Sequence, residues 1–402
     1  MPRLVIAICA ILVGFAATNL PAQDTTVTPV GVSIEDGTIV LRDANGHLEL
    51  TLDARLQADV VFYVGRDAPF GSGTSIRRAR LGFESKIART WEAAFDVDFA
   101  DASVEIKDAW IGYAGMQNTL IRAGQFKEPF SLQTLTSSKD IMFMERAAID
   151  ALSPDRNVGV GLSRWGKSWQ ASVGVFGESA ADADDENDEA FAVTGRITLA
   201  PVNSARSLVH LGFSGSRRNP RTQGEAGRSV AVEGPVEIGV AGGPLLESGV
   251  IDGVDHLSLL NGEVALLFGR ASMHAEYTRM EIARERDQRI TTDGGYVSGS
   301  VFVSDDQRAY LAADGEFDRV RPRRSGGAWE LVARFSWFDM RNADAGSATQ
   351  VTGGVTWHIN TNVRWMVNAT HVSAGQRLGP DAREIESRRR FLAVQTRMAL
   401  AF

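Results

Sequence analysis

Arg78 and Arg80 stand two residues apart in the segment 75–88, and Glu84 and Lys86 continue the same face if that segment is extended. Glu92, Asp96 and Asp98 take the matching face of the next segment. A guanidinium offers a planar fork of N–H donors suited to oxyanions, so Arg78 and Arg80 in file would guide anions along a wall. Opposite charges on paired strands would instead bond to each other and stiffen the sheet. Exposed pairs are frequent, which makes pairing the heavier of the two readings. Arg319, Arg321, Arg323 and Arg324 form a second basic group. They would draw anions toward a mouth, or simply be a solvated turn. Asp182, Asp184, Asp185, Glu186, Asp188 and Glu189 crowd one stretch. Hard oxygen ligands suit calcium bridging to lipopolysaccharide, but the spacing fits no calcium loop.

Other chemistry is excluded by residue type and placement. The six histidines, His47, His210, His256, His274, His358 and His371, never fall at a metal-ligand spacing, so no cofactor or metal is expected. His358 and His371 have no serine partner in view, and no enzyme is expected. The lone Cys9 lies in an N-terminal stretch that reads as an export signal over 1–23, with Arg3, the apolar run Leu4–Ala17 and a small-residue cleavage region. That run is shorter than the roughly 20 residues that span a bilayer. The exported chain, 24–402, therefore has no disulfide. A net charge of −8 argues against nucleic-acid binding.

The elements that would hold such side chains are strands. Trp329, Leu331, Ala333, Phe335 and Trp337 alternate with Glu330, Arg334 and Ser336. Trp91, Ala93, Phe95, Val97 and Phe99 alternate with Glu92, Asp96 and Asp98. Charges in mid-strand on one face imply a water-filled interior, and a mean hydropathy of −0.11 is compatible with a barrel whose strands alternate. The alternation recurs in about sixteen segments: 48–65, 75–88, 91–100, 104–114, 118–127, 157–165, 168–177, 190–200, 206–217, 258–269, 271–282, 296–313, 327–339, 349–359, 362–373 and 389–402. Short connections follow the even segments and long ones (128–156, 218–257, 374–388) the odd. The exception is 314–327, which is long on the short side. The last segment ends flush on Phe402, as outer-membrane barrels do. Trp91, Trp110, Trp169, Trp329, Trp337, Trp357 and Trp365 sit mostly at segment ends, where an aromatic girdle would lie. The expected fold is all-β: a transmembrane antiparallel barrel of about sixteen strands.

The run Gly124-Gln125-Phe126-Lys127-Glu128-Pro129-Phe130, followed by Ser137-Ser138-Lys139-Asp140 and Phe143-Met144-Glu145-Arg146, resembles the signature of the phosphate-selective porin O and P family. The resemblance continues through Arg77–Gly82, Lys107–Ile111, Pro154–Val160, Gly327–Leu331, Asn362–Met366 and Phe402. It implies a homotrimeric outer-membrane porin passing small anionic solutes such as phosphate or polyphosphate, inserted by the barrel assembly machinery through Phe402 and surrounded by lipid and lipopolysaccharide. It also implies that 128–156 folds into the lumen, with Ser137, Ser138 and Arg146 at the anion-contacting constriction and Lys139 beside them. Phosphate-specific members carry a lysine three residues before the serine pair, where this chain has Thr134. The loop's cations Lys127, Lys139, Arg146 and Arg156 are nearly cancelled by Glu128, Asp140, Glu145, Asp150 and Asp155. A general, non-selective porin is the first alternative, and a structural or adhesive barrel presenting 218–257 the second.

Overall fold

The computed structural model describes residues 30–65, 68–182, 189–222, 227–285, 289–376 and 387–402. The expected signal over 1–23, positions 184–188 of the acidic stretch and most of 374–388 lie outside them. Strands β1 (Val30–Glu35) and β2 (Thr38–Asp43) form a hairpin ahead of the wall. The wall begins with β3 (Leu48–Val64), β4 (Gly73–Ile87), β5 (Trp91–Asp98), β6 (Glu105–Tyr113) and β7 (Thr119–Lys127). It continues with β8 (Arg156–Trp165), β9 (Trp169–Phe176), β10 (Phe191–Asn203) and β11 (Ser207–Asn219). A side hairpin of β12 (Ser229–Gly234) and β13 (Leu246–Asp252) precedes β14 (Val254–Phe268), β15 (Ala271–Arg284) and β16 (Ile290–Phe302). A second side hairpin, β17 (Ala309–Leu311) and β18 (Glu316–Asp318), precedes β19 (Ala328–Met340), β20 (Gly346–His358), β21 (Val363–Gln376) and β22 (Ser387–Ala401).

The main sheet has eighteen strands, all pairings antiparallel; β1 and β2 are the leading hairpin, and the other sixteen close on themselves because β22 pairs with β3. Closure leaves no wall strand with an unpaired edge, which a lipid environment would not tolerate. Phe402 extends the seam: its N–H donates to Ala54 O at 3.1 Å and its carbonyl accepts from Ala54 N–H at 3.2 Å. Deleting Phe402 is expected to lower the yield of heat-modifiable barrel on refolding, while channels that do form keep their conductance. A gel-shift assay with bilayer recordings checks both.

Alternation sorts the side chains as the sequence implies. On β19, Trp329, Leu331 and Phe335 are exposed on the outside, whereas Glu330, Arg334 and Ser336 are buried inside. The interior is not simply water-filled, however. Ile149 and Leu152 from 128–155 pack with Val236, Ile238, Leu245 and Leu246 from 220–253 against wall residues Phe338 and Met340. Each such side chain contributes ~1.5–3 kcal/mol on burial, so two connections are folded inward to fill one side of the lumen. Short turns follow β4, β6, β8, β10, β14 and β20, which sets that end toward the periplasm in an outer-membrane barrel.

Two features depart from expectation. The segment 296–313 is not one strand: β16 starts six residues earlier and stops at Phe302, and the chain then leaves the wall. The long connection 303–327 does not reflect a miscounted strand. It folds into the lumen, where Phe317 stacks on His274 at 4.1 Å and Tyr310 Oη meets His210 Nδ1 at 2.7 Å. Trp110 also differs from the girdle tryptophans. Trp329 and Trp357 stack at 5.3 Å at the short-turn end, but Trp110 lies inside, under Arg122.

Candidate functional site

The connection from β7 to β8 doubles back into the barrel, and its buried backbone needs hydrogen-bond partners that water cannot supply. Wall side chains provide them. At its root the buried Glu128 has Arg218 Nη1 at 2.8 Å from both oxygens and Asn157 Nδ2 at 2.6 Å. Ser131, at φ +63°, accepts from Thr134 N–H and starts a single helical turn, Leu132–Leu135. Across the lumen, Glu276 of β15 accepts the N–H groups of Leu132 at 3.0 Å and Gln133 at 2.8 Å, with Tyr296 Oη donating at 2.7 Å. Arg364 donates to the carbonyls of Ser138 at 2.9 Å and Ile141 at 3.0 Å; Arg334 donates to Glu145 O at 3.0 Å. Arg308, from the inserted connection 303–327, donates to Asp140 O at 2.9 Å. Much of the lumen's arginine is therefore spent on fixing loop backbone.

Ser137, Ser138, Lys139 and Arg146 line one cavity of about 530 Å³ on the short-turn side of the loop. Ser138 is buried, and its hydroxyl accepts from Arg55 Nη1 at 2.7 Å. Lys139 pairs with Asp53 of β3. Arg146 donates from Nε to Gln133 O at 2.7 Å and from Nη2 to Thr134 O at 3.2 Å and Thr136 O at 2.8 Å; Asp150 stands 3.7 Å away. A second cavity, about 440 Å³, lies on the long-loop side of the same segment and includes Arg77, Glu145, Glu233 and Ile238. Among the described residues Arg146 alone lines both cavities. Its guanidinium is held by carbonyls at the boundary between them.

Arg78 and Arg80, the β4 arginines expected to guide anions, differ. Arg80 lines the inner cavity and pairs with Asp98 at 2.7 Å and Asp96 at 3.7 Å. Arg78 is buried, donates to Gln57 Oε1 at 2.8 Å and lines neither cavity. Of the basic cluster in the inserted connection, Arg321 pairs with Asp318 at 2.9 Å and Arg323 with Asp305 at 3.2 Å. Thr134 turns its hydroxyl to Asp150 at 2.7 Å, and its carbonyl accepts from Lys127 Nζ at 2.6 Å. Lys127, Arg122 and Arg55 also line the inner cavity, and sequence reading passed over them as site residues. The available signal for Arg122 was its place two residues before Gly124 and four before Phe126, on the inward face of β7.

Charge in the inner cavity is close to balanced: among the described residues, lining Arg and Lys outnumber Asp and Glu eight to seven. The loop's own carboxylates respond to this mixture. Burial would push Glu145 up, but Arg77 at 3.1 Å and Arg397 at 2.5 Å hold it well below the usual carboxylate range. Asp140 is raised by burial against the pull of Lys139 and Arg364. Glu316, on the inserted connection, is pushed up to about 7 by burial, opposed chiefly by Lys127 and Arg196.

Comparison with known proteins gives the arrangement its place. Porin O of Pseudomonas aeruginosa is 24% identical over 418 aligned residues, covering 90% of this chain and 93% of that protein. The anion-selective porin from Comamonas acidovorans superposes with a TM-score of 0.57 at 14% identity, covering 88% of this chain and 100% of the other. The trimer form of OmpT from Vibrio cholerae superposes with a TM-score of 0.55 at 12% identity, over 88% of this chain and 99% of the other. The profile of the family described as phosphate-selective porin O and P matches residues 50–402, the whole of the closed wall apart from the first two residues of β3. This chain belongs to that family and is a porin of the outer membrane.

Proposed function

We propose that the barrel passes small anions, phosphate-like oxyanions among them, through a constriction at Arg146, with Ser137, Ser138 and Lys139 on its inner side and 128–156 as the constriction loop. The observation that carries this is Arg146 lining both cavities while its guanidinium is fixed by three loop carbonyls and kept 3.7 Å from Asp150. A permeating anion would meet the positive charge and the remaining Nη1 donors of a rigidly fixed guanidinium, held well enough to lose part of its hydration but not trapped. Homotrimer assembly is supported by the trimeric form known for a structural neighbour. Export through the 1–23 signal, contact with lipopolysaccharide and insertion through Phe402 complete the reading. The eight-to-seven charge balance favours a second reading, a general porin with little ion preference.

Planar-bilayer recording separates the two. With a tenfold KCl gradient, a reversal potential of the sign for chloride supports the proposal, and one near zero supports the general porin. A cation-preferring channel overturns both. Three-step insertion events are expected from a trimer.

A further inference from the structure

Most cations of the inner cavity are already neutralised. Arg80 has Asp98 at 2.7 Å, Arg156 has Asp108 at 3.0 Å, Arg196 has Glu263 at 2.6 Å, and Lys139 has Asp53. Two are held in another way. The Arg122 guanidinium lies over the rings of Phe126 at 4.6 Å and Trp110 at 5.5 Å; among the described residues it has no carboxylate within ion-pair distance and no hydrogen bond. Aromatic faces hold a guanidinium by its plane and leave its edge donors unspent. Lys127 Nζ donates to the carbonyls of Thr134 at 2.6 Å and Leu135 at 2.8 Å, again with no ion pair among the described residues. An ammonium has three donors, so one remains. Both side chains line the cavity on the periplasmic side of Arg146.

Resting on the anion-porin reading above, we propose that Arg122 and Lys127 form a second oxyanion-binding station, inward of the constriction, with Glu316 of the inserted 303–327 connection as its built-in competitor. Glu316 lines the same cavity and acts electrostatically on both cations, yet pairs with neither among the described residues. A visiting tetrahedral oxyanion presents several acceptors to the Arg122 fork and one to Lys127, and so displaces the influence of the resident carboxylate. The charged groups facing Glu316 are Arg122 and Lys127 from β7, Arg196 from β10 and Asp314 on its own connection; Arg146 of the loop, Arg156 of β8 and Asp108 of β6 also face Lys127. Because Glu316 titrates near 7, it is neutral at pH 6 and charged at pH 8, and the station is stronger at the lower pH.

Sulfate is the suitable probe, since its charge does not change over that range. Chloride current through the wild-type channel should fall as sulfate is added, with the half-blocking concentration lower at pH 6 than at pH 8. Arg122→Gln should raise that concentration roughly tenfold, the loss of about one charge-assisted contact. Arg122→Lys should recover only part of it, because the charge returns without the fork. Glu316→Gln should lower the concentration and abolish its pH dependence; it also serves as the informative variant if Arg122→Gln fails to refold. Absence of chloride preference in the wild type would overturn the underlying anion-selective reading. Retained chloride preference with no sulfate block, or with block unchanged in Arg122→Gln and pH dependence unchanged in Glu316→Gln, would overturn the station alone.

Discussion

Replacing Arg397 with leucine is expected to lower the heat-modification temperature of the barrel by roughly 6–10 °C and to enlarge its single-channel conductance. Arg397 is wholly buried on β22. It donates to Asp59 of β3 from Nε at 2.7 Å and Nη2 at 2.6 Å, to Glu145 at 2.5 Å and to the carbonyl of Met144. One side chain thus joins the last wall strand, the first wall strand and the lumen loop. Leucine leaves Asp59 buried without its salt-bridge partner and Glu145 with Arg77 as its remaining ion pair, and removing one partner of a buried ionic group costs ~3–5 kcal/mol. The Arg397→Leu, Asp59→Asn double variant should regain part of the heat stability but not the narrow conductance, because Met144 O and Glu145 still lack the donor that ties the loop to β22. Unchanged conductance in both variants would mean that the loop is held without this network.

Arg146→Ala is the second large effect. The ratio of chloride to potassium permeability should fall roughly tenfold, equivalent to ~1.4 kcal/mol at the throat. Arg146 also satisfies the carbonyls of Gln133, Thr134 and Thr136, so alanine would loosen the loop as well. Arg146→Lys separates the two roles: it keeps the charge but cannot span three carbonyls with a planar fork. Selectivity retained in Arg146→Lys with noisier conductance assigns the charge to permeation and the fork to loop position. Equal loss in both variants would make the fork itself the selective element.

The wall was legible because its signal is local. Alternation at period two fixes each strand's faces from a handful of neighbours, and fifteen of the sixteen expected segments overlie observed strands closely. The overlong 296–313 arose because Ala309–Leu311 looks like the continuation of β16, although the chain departs from the wall after Phe302. The β1–β2 hairpin went unassigned despite its Asp36-Gly37 turn, with φ of 49° and 81°, which is the dipeptide that a tight hairpin favours. The residues proposed for the constriction came only from the family resemblance. Their fasteners were not legible: Glu276 meets Gln133 across 143 residues and Arg397 meets Asp59 across 338, and such pairings leave no periodic trace. For the same reason the wet-face arginines could be placed inside but not told apart as lining or fastening.

The Arg397 junction also imposes a sequence of events in time. The loop at 128–156 is made early, but the donor for Met144 and Glu145 arrives on the final strand, and its partner Asp59 sits on the first. Contacts of such separation form late, after the chain ends have found each other. The proposed throat is therefore expected to mature only once the cylinder has shut, and a barrel stalled with its seam open is expected to be a wide, unsorted hole rather than a narrow, slow one. Pulse-labelled assembly intermediates should accordingly show loop protection appearing together with seam formation, and never before it.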